Sequence, residues 1–131
     1  MTLPERSDTV YEIDSGRVVC RIIGDEAVIL ETGTGCCYSF NRSGTEIWTI
    51  LSVGGSLKDA VSALRAAYGT PAEVLLKDAA QFAASLETEG LLRRTDRAKG
   101  RAVPKRSSQK KSYEPPAFEK YLEIRRGRSV A

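Results

Sequence analysis

The chain has 131 residues, enough for one domain and a tail, and it contains no histidine, which removes the commonest general base and metal ligand. A net charge of +3 hides a division: residues 1–92 carry 7 Lys/Arg against 13 Asp/Glu, a net −6, while residues 93–131 carry 13 against 4, a net +9. No run of residues is apolar for the ~20 positions a membrane span needs, and no signal peptide opens the chain, so a cytoplasmic protein is expected.

Residues 1–16, with Pro4, Gly16 and several charges, read as a ragged N-terminal arm. Val18–Ile23 is a β-branched run that stops at Gly24-Asp25. Ala27–Glu31 follows as a second strand, stopped by Thr32-Gly33-Thr34-Gly35, and Cys36–Phe40 as a third. Short strands separated by glycine turns predict an antiparallel meander. On the third strand Cys36, Tyr38 and Phe40 share one face, and Cys37 and Ser39 the other.

Asn41 is an N-cap for a helix over 42–52, in which Ile47, Trp48 and Leu51 form the apolar face. Gly54-Gly55 ends it. Ser56 caps a second helix with Leu57, Val61, Leu64 and Tyr68 on one stripe, and Gly69 stops that helix. Thr70-Pro71, with Glu73 three residues beyond the threonine, predicts a capping box at the start of a third helix. That helix runs to Glu89 with Leu75, Ala79, Phe82 and Leu86 as its core stripe. Gly90 is a left-handed cap beyond it, and the domain closes at residue 94. Trp48, Leu64, Phe82 and Leu86 are expected to be buried together.

Residues 95–112 are rich in Arg, Lys and Ser and lack hydrophobic periodicity, the composition of a disordered basic linker. Residues 113–131 form a tail whose first part, Tyr113–Ile124, has five bulky apolar residues and two prolines. That is more than a spacer requires.

Three cysteines, Cys20, Cys36 and Cys37, fit neither a disulfide framework nor a zinc pattern, and buried reduced thiols are expected. With no histidine to activate a thiolate, no glycine-rich phosphate loop and no paired carboxylates, neither an enzyme nor a cofactor nor a bound metal is expected. A winged-helix DNA-binding protein is the alternative. Against it, residues 56–89 hold only Lys58, Arg65 and Lys77 among five acidic residues, a poor surface for a duplex.

The run Tyr38-x-Phe40-Asn41-x-x-Gly44-x-x-Ile47-Trp48, preceded by strands and followed by two helices and Gly90-Leu91-Leu92, resembles the PqqD family over residues 17–92. Members of that family, also called RiPP recognition elements, bind the leader segment of ribosomally made precursor peptides. The resemblance implies an α+β, winged-helix-like fold, with a three-stranded antiparallel sheet followed by three helices and a flexible C-terminal tail. It implies a non-catalytic adaptor that takes the leader as an added strand and presents it to a separate enzyme, such as a leader peptidase or cyclase, in biosynthesis of the lasso type.

The peptide would pair with Cys36, Cys37, Tyr38, Ser39 and Phe40, with Val74, Lys77, Asp78 and Gln81 on the opposite wall. Neither membrane nor nucleic acid is an expected partner. In the tail, Tyr113-x-x-Pro116-x-Phe118 is similar to the Tyr-x-x-Pro-x-Leu core of lasso-peptide leaders, with Phe118 for the usual Leu and Leu122 where a Gly is usual. Two placements stay open for this segment. It occupies the groove of its own domain, or of a second copy in a tail-exchanged homodimer. Otherwise it lies outside the groove, disordered or docked on the partner enzyme.

Overall fold

In the computed structural model, residues 9–14, 16–95 and 112–121 are described. The tip of the arm, residues 96–111 of the basic linker and the last ten residues of the tail lie outside them. The chain order is β1 (Val10–Glu12), β2 (Val18–Ile23), β3 (Glu26–Glu31), β4 (Cys36–Phe40), α1 (Arg42–Leu51), α2 (Leu57–Tyr68), α3 (Ala72–Thr88), β5 (Arg93–Thr95) and β6 (Phe118–Tyr121). Among the described residues no helix is long and apolar enough to cross a membrane.

The meander forms where the glycine turns fall. Ile23 pairs with Glu26 across Gly24-Asp25, and Gly24 takes φ +66°, the value a tight hairpin asks of its first turn residue. Glu31 pairs with Cys36 across the next turn. Its carboxylate accepts the N–H and hydroxyl of Thr34, both at 2.8 Å, and meets Arg17 at 3.0 Å. The Thr34 hydroxyl, with the backbone donors and Arg17, holds this carboxyl below its usual range although burial opposes it.

Helix boundaries follow local chemistry. Asn41 Oδ1 accepts the Gly44 N–H at 3.0 Å and caps α1. Ser56 and Asp59 form a reciprocal capping box on α2, and Gly69 ends that helix at φ +74°. The capping box expected at Thr70 does not form. Pro71 takes the cap position instead, and its carbonyl accepts the Val74 and Leu75 N–H groups, each at 3.1 Å. Proline's fixed φ suits the cap as well as the first helical position, so α3 begins one residue later than the threonine implied.

The inner face of the sheet packs on the three helices. Trp48, Leu64, Phe82 and Leu86 are buried in one core with Tyr38, Phe40 and Ile29. Phe40 is its aromatic hub, with ring centroids 5.6 Å from Trp48 and 5.3 Å from Phe82, both edge-on. Thr45 fastens α1 to the sheet, since its hydroxyl accepts the Ala27 N–H at 2.8 Å.

Two departures from the expected three-stranded sheet stand out. The sheet has four strands in the order β2-β3-β4-β6, because a tail segment adds to its far side. A separate two-stranded ribbon joins β1 to β5, so part of the arm is a strand and Thr95 belongs to a strand rather than to the linker. Buried Tyr11 and the Arg93–Glu12 ion pair at 2.6 Å hold that ribbon. The thiols also differ from expectation: Cys36 is buried, Cys37 half-buried and Cys20 exposed. β2 is an outer strand that shows most of its residues to solvent, so Cys20 is only partly covered there, against Trp48.

Candidate functional site

The candidate site is the groove between β4 and α3. β4 places Tyr38 and Phe40 inward, where they form the groove floor, and turns the main-chain edge not paired with β3 toward an added strand. α3 provides the opposite wall. Residues 112–121 of the same chain lie in this groove.

Pairing is antiparallel: Cys37 faces Tyr121, Tyr38 faces Lys120, Ser39 faces Glu119 and Phe40 faces Phe118. The ladder continues one step past the strand, where the Asn41 N–H donates to the Ala117 carbonyl at 3.0 Å. Alternation along an antiparallel ladder turns the Ser39 and Cys37 N–H groups toward the same side.

Side chains fix the register. Phe118 is the anchor, with its ring centroid 5.6 Å from Tyr38, 6.0 Å from Phe40 and 6.1 Å from Phe82. Five residues earlier, the Tyr113 hydroxyl donates to Asp78 at 2.8 Å and its ring meets Tyr68 edge-on at 5.4 Å. Burial, then the Asp78 carboxylate, pushes the Tyr113 phenol well above its ordinary pKa. Two residues after the anchor, the Lys120 ammonium reaches Glu89 at 2.7 Å, across the face of the Tyr38 ring at 5.9 Å. Glu89 also accepts the Tyr38 hydroxyl at 3.1 Å. Lys120 and Tyr38 together hold its carboxyl below the usual range, against the opposing effect of burial.

The start of α1 closes the groove at one end. Asn41 Nδ2 donates to the Pro115 carbonyl at 2.9 Å, Asn41 Oδ1 accepts the Ala117 N–H at 3.0 Å, and the Ser43 hydroxyl donates to the Glu114 carbonyl at 2.7 Å. Gly44 leaves room for the strand. A Cβ there would lie 3.3 Å from the Ala117 carbonyl and 2.9 Å from the Phe82 ring.

Of the residues singled out in the sequence, Cys37 to Phe40 lie opposite the added strand and Cys36 stands at its end. Asp78 contacts Tyr113. Gln81 joins Asp78, Phe82 and Ser85 in lining a cleft of about 330 Å³ against Pro115–Phe118, so Pro116 lies at that wall. Val74 and Lys77 are exposed one turn earlier on α3. Asn41, Ser43, Gly44 and Glu89 were not singled out as groove residues. For Asn41 the sequence signal was absorbed by the helix cap and for Gly44 by the family run; for Glu89 there was none beyond its place before Gly90.

Residues 26–92 match the model of the family PqqD, coenzyme PQQ synthesis protein D. No curated protein matches the chain. Among solved structures, that of TbiB1 in complex with the TbiA(beta) leader peptide is similar, with a TM-score of 0.58 and 30% identity over 62% of this chain and 93% of that one. The family match spans just over half of the 131 residues and contains β3, β4 and all three helices, the elements that build the groove. The chain therefore belongs to the PqqD family.

Proposed function

We propose that this chain is a non-catalytic adaptor. It captures the leader segment of a ribosomally synthesised precursor peptide by strand addition at β4 and presents it to a separate modifying enzyme, such as a leader peptidase or cyclase. The observation that carries this reading is the groove itself, whose β4 edge and aromatic floor accept an extended segment in a defined antiparallel register. Main-chain pairing of this kind gives affinity for any extended chain, while the pockets for alternate side chains select sequence. The similar TbiB1 structure, in complex with a leader peptide, supports the same use of the groove. On this reading chemistry belongs to the partner enzyme, and the adaptor acts by raising local peptide concentration.

The chain's own segment 113–121 is then a resident competitor. Tethering sets its effective concentration near the millimolar range, so an incoming leader must displace it. Exchange of the same segment between two copies would give a homodimer with two filled grooves. Because residues 1–92 are acidic, basic leaders should bind more tightly, with affinity that declines as salt rises.

Fluorescence polarisation tests the function. The labelled probes are a synthetic leader peptide carrying the Tyr-x-x-Pro-x-Leu core and a short DNA duplex. Saturable binding of the leader that unlabelled leader competes away is the expected result. Binding of the duplex but not of the leader would replace the adaptor reading with a winged-helix DNA-binding one.

A further inference from the structure

We propose that Glu89 and Tyr38 form a cation subsite that selects a lysine or arginine two residues beyond the aromatic anchor in any strand the groove accepts. The inference rests on the leader-capture reading and names a specificity element within it. The argument begins with register. Tyr38 lies directly opposite Lys120, so a side chain at this position of the added strand passes over the Tyr38 ring. Its end then reaches Glu89, the C-cap of α3, at 2.7 Å.

Three features there favour positive charge. The Glu89 carboxylate is oriented by the Tyr38 hydroxyl at 3.1 Å. The Tyr38 ring presents its electron-rich face to the cation. The C-terminus of the 17-residue α3 adds the negative end of a helix dipole. Neighbouring carboxylates have arginines of the domain itself: Glu31 is paired with Arg17 at 3.0 Å and Glu87 with Arg94 at 2.9 Å. Among the described ion pairs, Glu89 alone of these three takes its cation from the added strand. A strand with an acidic residue there would instead bring two carboxylates together beside a buried ring.

The first test uses the full chain and reads amide exchange at Ser39 and Cys37, which face the added strand. Lys120→Glu and Glu89→Lys should each raise exchange about five- to tenfold, the effect of losing a well-placed, partly desolvated ion pair. The Lys120→Glu/Glu89→Lys double variant should restore protection. Unchanged exchange in Lys120→Glu would overturn the subsite.

The second test titrates a full-length Phe118→Asp variant, in which the resident anchor is removed, with two synthetic peptides. One has the sequence of residues 112–121 and the other carries Lys120→Glu. Tighter binding of the lysine peptide, with the order reversed on a Phe118→Asp/Glu89→Lys chain, is the expected result. Equal affinity for both peptides overturns the subsite alone. Failure of both peptides to bind overturns groove capture itself, and the subsite with it.

Discussion

Asn41 and Ala117 hold each other twice: the Asn41 N–H donates to the Ala117 carbonyl, and the Ala117 N–H donates back to Asn41 Oδ1, each at 3.0 Å. The same Oδ1 accepts the Gly44 N–H. One side chain therefore both starts α1 and clamps the added strand, which gives an asparagine here more to do than a serine or aspartate cap could. An aspartate has no donor for the Pro115 carbonyl, and a serine would have to meet all three partners from one oxygen, whereas the amide divides them between Oδ1 and Nδ2.

Asn41→Ala should therefore have two effects, whereas Ser56→Ala, which removes the cap of α2, should have one. Each lost cap costs about 1 kcal/mol, or about 4–8 °C in Tm for a domain of this size. Asn41→Ala should in addition speed exchange of the Ser39 and Cys37 amides well beyond the change in global stability. Equal behaviour of the two variants in that exchange would remove the clamp from the account.

Phe118→Ala should release the segment while the core stays folded. The ring meets Tyr38, Phe40 and Phe82, but those residues also pack on one another and on Trp48. Loss of an aromatic contact of ~1.5 kcal/mol corresponds to about a tenfold fall in groove occupancy. Near-ultraviolet circular dichroism should keep its Trp48 signal while Ser39 exchange rises, and a labelled leader peptide should bind the variant more tightly than the parent chain.

Ser39→Pro removes the N–H that alternation turns toward the added strand, on the side away from β3. The domain should fold, and both its own segment and an added leader should bind at least several-fold more weakly. Undiminished leader binding by the folded variant would place the peptide elsewhere.

Docking of the segment should depend on pH at both ends of the range. Glu89 has a lowered pKa in the docked state, so its contribution is complete above the free-carboxylate value of ~4.3 and is lost as pH falls through the lowered one. Lys120 and Tyr113 have raised values, by Glu89 for the first and chiefly by burial for the second. Their contribution is complete below ~10 and is lost as pH rises through the raised values. Protection of the Ser39 amide, corrected for intrinsic exchange, should be flat between about pH 5 and 9 and fall on either side. Glu89→Gln should remove the acid limb and the Lys120 share of the alkaline one, leaving the share of Tyr113.

Much of the fold could be read from residues because its signals are local. Glycine turns at 24 and 35 set the meander, and Asn41, Ser56, Gly69 and Gly90 punctuate the helices as their chemistry requires. The β1–β5 ribbon could not be read so. Its strands are three residues long, carry Glu12, Arg93 and Arg94, and pair across some eighty residues of sequence, so no period or turn announces them. The groove wall depends on where along α3 the segment runs. Asp78, Gln81, Phe82, Ser85 and Glu89 lie along it, whereas Val74, on the same row one turn earlier, and Lys77 are exposed, and only the packed helix shows that limit.

The position of β6 also has a colloidal consequence. Without it the sheet would end in β4 on one side and in β2 on the other. β2 already exposes Val19, Ile22 and Ile23 at half or more of their surface. Two open ladders, one beside an aromatic trough, invite sheet-to-sheet association and fibrillar growth. β6 replaces the more hazardous of them with a strand of four residues carrying Glu119 and Lys120, the short, charged kind that self-associates least. A segment that cannot diffuse away thus keeps that edge covered and the protein dispersed.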